Sequence, residues 1–197
     1  YYNFDLEQWG FKRKLKEPWN EYFKRLRSHP AWKTKNFCAW DVSVEGAKEL
    51  NTYLKANNDI YYFSYSTANT IRDPRTGYHK PNSSMSIILR PNANMMGNSI
   101  QCWNDSSCTD STWYENDGIV NTISQIGPTS ESYDDDKIIS YVNEDDIIPG
   151  VWIHMGKYIM DHKEFMGHGN YSKETISAVY KVFDEHSKRL ISLPSYK

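Results

Sequence analysis

Apolar positions recur at helical spacing in three stretches of this chain and cluster densely in two others. Over 17–29, Trp19, Tyr22, Phe23 and Leu26 fall at i, i+3, i+4 and i+7, with Lys24, Arg25 and Arg27 on the remaining surface. That spacing predicts an amphipathic helix. Pro18 suits its first turn and Pro30 stops it, because proline fixes φ and has no N–H to donate. Over 43–56, Val44, Ala47, Leu50 and Leu54 line one side of a second helix. Over 172–189, Ile176, Val179, Tyr180 and Phe183 share a face, with Ser172 placed as the N-cap. The other two stretches are Ile60-Tyr61-Tyr62-Phe63-Ser64-Tyr65 and Gly150-Val151-Trp152-Ile153-His154-Met155. β-Branched and aromatic residues bounded by polar ones read as strands.

The stretch 66–112 is dominated by Asn, Ser, Pro and Gly. It is too long for an ordinary connection and reads as an inserted loop with short elements of its own. Residues 129–149 form a second polar stretch, and Asp134-Asp135-Asp136 within it reads as a solvated turn. The order is helix, helix, strand, long loop, acidic turn, strand, histidine-bearing loop, helix. This is an α/β pattern with only two strands. Two strands cannot make a sheet that buries both faces, so the pattern predicts that part of the fold lies outside this chain.

Composition adds limits. A chain of 197 residues with 39% apolar and 15% aromatic residues has a core and is not disordered. A formal net charge of −2 gives no electrostatic case for nucleic acid or an anionic membrane surface. No apolar run approaches the length of a membrane span. Tyr1-Tyr2-Asn3-Phe4-Asp5 is not a signal peptide, so a secretion signal would have to lie upstream. Cys102 and Cys108 bracket a short polar loop and are placed to close a small disulfide, which leaves Cys38 over for another chain. Three reduced thiols in a cytosolic protein are the alternative. The sequons at Asn82, Asn104 and Asn170, none with a central proline, favour a secreted glycoprotein.

Two stretches carry candidate chemistry. Glu115-Asn116-Asp117-Gly118-Ile119-Val120-Asn121 sets an acid on an Asp-Gly turn, and Asp161-His162-Lys163-Glu164 sets a histidine beside an acid later in the chain. Asp then His is the order of an α/β-hydrolase triad whose serine comes first. No Gly-x-Ser-x-Gly occurs here. Asp117 would accept from the imidazole N–H, and His162 would act as general base. Asp-Gly is also a common turn pair, and His154 and His168 compete for the role of base.

Further blocks accompany these. They are Asn3-Phe4-Asp5-Leu6-Glu7-Gln8-Trp9-Gly10, His29-Pro30-Ala31-Trp32, Asp41-Val42-Ser43-Val44-Glu45-Gly46-Ala47 and Tyr61-Tyr62-Phe63-Ser64-Tyr65. Together, in order and nearly end to end, they resemble the C-terminal half of the staphylococcal and thermoalkalophilic bacillary lipases. The Asn, Tyr and sequon content looks unlike a bacterial protein and suggests a eukaryotic, secreted relative.

The resemblance implies that residues 1–197 are the C-terminal portion of one α/β-hydrolase domain, its sheet completed by an N-terminal half. It implies hydrolysis of carboxylic esters with Asp117 and His162 in the triad. The serine and oxyanion hole would come from a companion N-terminal chain, tethered by Cys38 or not, and the substrate would be a lipid or other ester. The helix at 17–29 matches part of a mobile lid. No cofactor is needed for the chemistry. A structural calcium would use the Gly97 carbonyl and Glu164, although Gly169 and Asn170 stand where the family has an aspartate and a proline. Asp41 matches a zinc ligand whose partners lie in the missing half, and on its own it also suits a helix N-cap. The alternative function is non-catalytic: a secreted lipase-like protein kept for lipid binding or structure.

Overall fold

The computed structural model describes residues 12–35, 40, 43–102, 108–128, 138–169 and 171–194. The chain divides into two compact units, Tyr1–Leu50 and Asn51–Lys197.

In the first unit, α1 spans Trp19–Arg27 and follows Pro18, whose backbone is extended. Glu17 takes Arg25 in a two-point contact, Nε and Nη2 each 2.9 Å from a carboxylate oxygen. That hydrogen-bonded guanidinium holds the Glu17 carboxyl down to about 2. Trp19 stacks on Phe23, their ring centroids 5.8 Å apart, and the Arg13 guanidinium lies 4.5 Å over the Trp19 ring. The α1 helix ends before Pro30, which itself opens a single 3-10 turn, Pro30–Lys33.

Helix α2 spans Val44–Asn51. Ser43 caps it, its hydroxyl accepting the Gly46 N–H at 3.0 Å. Gly46 is required there, since a Cβ would stand 1.9 Å from the Trp40 carbonyl oxygen. The helix stops well short of the expected residue 56. Just beyond, the Asn57 N–H donates to the Tyr62 hydroxyl and Asn57 Oδ1 accepts the Asp59 N–H, both at 2.9 Å. Such local capture competes with helix and leaves Leu54 exposed.

The second unit is mixed α/β. Its strands are β1 (Tyr62–Thr67), β2 (Thr70–Arg72), β3 (His79–Pro81), β4 (Ile138–Ser140) and β5 (Trp152–Tyr158). Its helices are α3 (Arg90–Met96), α4 (His162–Phe165) and α5 (Lys173–Ser192). A parallel sheet runs in the order β1-β5-β4, and β2 and β3 form a separate antiparallel hairpin. The expectation of two strands is corrected. The third parallel strand, β4, is only three residues long and sits inside the polar stretch 129–149, where no alternation shows it. The stretch 66–112 holds the hairpin, α3 and a 3-10 turn at Ser111–Trp113.

Register explains how β1 and β5 fit. Tyr62, Phe63 and Ser64 oppose Trp152, Ile153 and His154, but Ser66 opposes Lys157. One extra residue on β5 makes a bulge, and Gly156 supplies it with a φ of +111°. The end of β1 is polar yet buried. Ser66 Oγ lies 2.9 Å from His154 Nε2, and the Ser64 hydroxyl donates to the Ile126 carbonyl, so neither hydroxyl is stranded.

Helix α5 begins where Ser172 Oγ accepts the Thr175 N–H at 3.2 Å. Its buried stripe is Val179 and Val182, not the expected set, since Ile176, Tyr180 and Phe183 remain exposed to differing degrees. His186 extends that stripe, its Nδ1 2.9 Å from the Tyr65 hydroxyl. A second core of Met85, Leu89 and Ala93 lies around α3. No helix among the described residues is long and apolar enough to cross a membrane.

Candidate active site

The site begins with a turn. The Asp117 N–H bonds the Val120 carbonyl at 3.2 Å, and Asp117 Oδ1 accepts the N–H groups of Ile119 and Val120 at 2.9 and 2.8 Å. Gly118, at φ +95°, permits this reversal, and a Cβ there would stand 2.8 Å from Leu89 Cβ. The preceding residue, Asn116, is fully buried. Its amide bonds the Ala93 and Tyr114 carbonyls at 3.1 and 2.9 Å, and its Oδ1 accepts the Gly118 N–H at 3.0 Å. The turn is thereby pinned to α3.

The other carboxylate oxygen of Asp117 faces His162. Oδ2 lies 3.0 Å from His162 Nδ1 and also accepts from the Thr67 hydroxyl at 2.8 Å and the Gln125 amide at 3.4 Å. The His162 N–H donates to the Asp117 carbonyl at 3.0 Å. Asp117 is 1% exposed, whereas the His162 side chain is 39% exposed. A carboxylate only accepts, so this pairing puts the proton on Nδ1 and leaves Nε2 with its lone pair. Among the described residues, Nε2 has no hydrogen-bond partner.

His162 opens α4, and a capping box shapes that turn. Asp161 Oδ1 accepts the N–H groups of Lys163 and Glu164 at 2.9 Å each, and Oδ2 accepts the Ser86 N–H at 2.7 Å. Glu164 Oε2 accepts the Asp161 N–H at 2.7 Å and the Asn69 amide at 3.3 Å. Burial pushes the Glu164 carboxyl up, opposed by the Asp161 N–H. Burial, with the Asp161 and Glu164 charges behind it, pushes the nearby Tyr171 phenol up to about 12.

The structure thus brings Asp117 and His162 together. His154 goes instead to Ser66, and burial pushes its imidazole down. His168 is exposed. The described residues do not fit calcium. Glu164 Oε2 is engaged by Asp161 and Asn69, the Gly97 carbonyl accepts the His79 N–H at 2.8 Å, and Gly169 offers no carboxylate. Calcium needs six or more oxygens, and among the described residues no three His, Cys, Asp or Glu groups gather to hold a metal. Asp41, expected for zinc, lies outside the described residues, as do Cys38, Asn104 and Asn170. Asn82 is half-buried, and Cys102 and Cys108 are joined by a disulfide.

Thr67, Gln125, Asn69 and Asp161 have clear contacts in the site yet carry no sequence signal of their own. Their partners lie far along the chain, 50 residues for Thr67 and Asp117 and 95 for Asn69 and Glu164. Only the Asp-x-x-Glu spacing of a capping box marks Asp161 in advance.

Residues 1–188 match the family model described as "Lipase-like, C-terminal domain". The chain is 30% identical over 166 residues to Lipase 1 of Staphylococcus aureus strain Mu50, covering 84% of this chain and 22% of that protein. It is 30% identical to the lipase of Staphylococcus hyicus, of which it covers 24%. Among solved structures, EstA from Clostridium botulinum superimposes with a TM-score of 0.69 at 34% identity, over 88% of this chain and 41% of that one. Lipase 1 from Pelosinus fermentans gives 0.70 at 32% identity, over 98% and 49%. Staphylococcus hyicus lipase gives 0.70 at 27%, over 95% and 45%. The chain therefore spans about a quarter of these curated relatives and less than half of these solved ones.

Proposed function

Since this chain belongs to the lipase-like C-terminal domain family, we propose that it supplies the acid and base of a carboxylic-ester hydrolase. Its serine and oxyanion hole come from a companion N-terminal segment or chain. The observation that carries the reading is the buried Asp117 carboxylate 3.0 Å from Nδ1 of a histidine whose other edge is open.

His162 Nε2 takes the proton of the companion serine as its oxygen attacks the ester carbonyl. Asp117 holds the imidazole in the required tautomer and stabilises the imidazolium. The same proton then passes to the departing alcohol, and an acyl-serine remains. Water, deprotonated in turn by His162, attacks that acyl-enzyme, and the imidazolium returns the proton to the serine oxygen as the carboxylic acid leaves. Both proton abstractions, from the serine and from the water, need Nε2 unprotonated at the start, which the acceptor at Nδ1 favours.

The substrate class is a triacylglycerol or simpler carboxylic ester. The exposed aromatic Trp19 and Phe23 on α1 support a lid role for that helix, turning an apolar face to lipid. The Cys102–Cys108 disulfide and the Asn82 sequon support secretion.

The test is labelling of the native preparation with a tagged fluorophosphonate, followed by mass-spectrometric mapping. Label on a companion serine, lost in His162→Gln, is expected. No label on a companion that is present and folded would sink the proposal and leave the non-catalytic lipid-binding reading in its place.

A further inference from the structure

Helix α4 is four residues long. A single turn does not hold itself, because nucleating helix costs more than one turn returns. What fixes His162 must therefore come from outside the turn. The Asp161–Glu164 capping box closes the turn locally; from outside it, the Ser86 N–H donates to Asp161 Oδ2 at 2.7 Å, the Asp117 carbonyl accepts the His162 N–H at 3.0 Å, and the Asn69 side chain donates to Glu164.

Asn69 sits two residues after Thr67, at the end of β1, and is 2% exposed. All four of its polar groups are engaged. Its N–H donates to the Asn116 carbonyl at 3.0 Å, and its own carbonyl accepts the Asn82 N–H at 2.9 Å. Its Oδ1 accepts the Ser84 hydroxyl at 3.1 Å, and its Nδ2 donates to Glu164 Oε2 at 3.3 Å. The backbone of this residue thus grips the position before Asp117, and its side chain grips the position two after His162. No other described residue outside the pair is hydrogen-bonded to both turns in this way through groups this deeply buried, apart from those within the turns themselves.

We propose that Asn69 is a positioning residue for His162: its buried amide couples the turn bearing the triad acid to the turn bearing the base. This rests on the hydrolase reading given above. Asn69 touches neither substrate nor the imidazole. It acts through Glu164 and the Asp161 N–H, setting the direction in which Nδ1 meets Asp117 Oδ2 and therefore where Nε2 points. Misplacement of a catalytic group by about 1 Å costs on the order of 100-fold in rate.

Asn69→Asp is the informative change. It keeps the shape and the acceptor for Ser84 but turns the donor facing Glu164 into a second acceptor. In the intact assembly with its serine-bearing companion, N69D lowers kcat by about 10- to 100-fold and leaves KM within about twofold. The low-field proton NMR signal of the His162 Nδ1–H broadens or shifts.

A merely structural role would lower kcat only in proportion to the fraction unfolded, without moving the Nδ1–H signal of the folded fraction. That result overturns the proposal, as does full kcat in N69D. The His162→Gln control separates the two layers. If it abolishes hydrolysis while N69D does not, only the positioning role fails. If hydrolysis survives H162Q, the hydrolase assignment fails and the positioning role with it.

Discussion

Gly118→Ala is the sharpest perturbation of the turn that carries Asp117. Gly118 adopts φ +95°, which an L side chain rarely accepts. Holding a non-glycine residue in such a region costs of order 1–3 kcal/mol. The new methyl would also stand 2.8 Å from Leu89 Cβ and 3.3 Å from Leu89 Cδ1. Overpacking of that kind adds about 1–3 kcal/mol. The two effects together predict a loss of about 2–6 kcal/mol. For a unit of about 150 residues, each kcal/mol lowers the melting temperature by about 3 °C, so the drop is about 6–18 °C. Far-UV circular dichroism melts measure it directly. Truncating Leu89 to Ala should not rescue the variant, because the closest atom is the Cβ, which alanine keeps. A melting temperature within about 2 °C of the unsubstituted protein would refute the strain argument, and so would rescue by Leu89→Ala.

Three other outcomes are expected. Thr67→Val removes the hydroxyl that donates to Asp117 Oδ2 at 2.8 Å; a hydrogen bond to a charged group is worth about 1.5–3 kcal/mol, so unfolding free energy and kcat both fall, and Thr67→Ser restores them. Glu17 has its carboxyl held down to about 2 by the Arg25 guanidinium, so its contribution to α1 is complete above the ordinary carboxylate range and is lost as pH falls through about 2; a carboxylate NMR titration with a midpoint at the ordinary value would contradict this. Calcium chelation with EGTA leaves the melting temperature unchanged, because calcium needs six or more oxygens and among the described residues no three His, Cys, Asp or Glu groups gather to hold a metal; a drop of several degrees, reversed by added calcium, would show the opposite.

The long periodic segments were legible in the sequence for a local reason, whereas Asp117 and His162 stood out only through their order and the family resemblance. Trp19 to Leu26 and the run from Tyr61 to Tyr65 carry their pattern within a few residues, and an Asp-Gly turn announces itself in two. What escaped was non-local. Strand β4 is three residues, too short for alternation, and exists because β5 offers it an edge. The buried stripe of α5 was offset, since which of several apolar positions goes inside depends on what β1 presents, here Phe63 and Tyr65 against His186. Thr67, Gln125 and Asn69 are ordinary polar residues until the sheet brings their partners near. At the start of α2 the Ser43 hydroxyl accepts the Gly46 N–H, a role that Asp41, outside the described residues, neither confirms nor replaces.

The parallel pairing of β1 with β5 has a kinetic consequence. Ser66 and His154 meet across a separation of 88 residues, and the triad acid lies on the segment between them. Parallel strands so distant in sequence pair late, because the entropy of closing the intervening chain must be lost before any contact rewards it. Thr67 at the end of β1 contacts Asp117, so the fully bonded acid belongs to the same late-closing set of contacts. On the proposed hydrolase reading, recovery of hydrolysis by the assembly with its serine-bearing companion after dilution from denaturant would trail the return of helix signal and report that slow step.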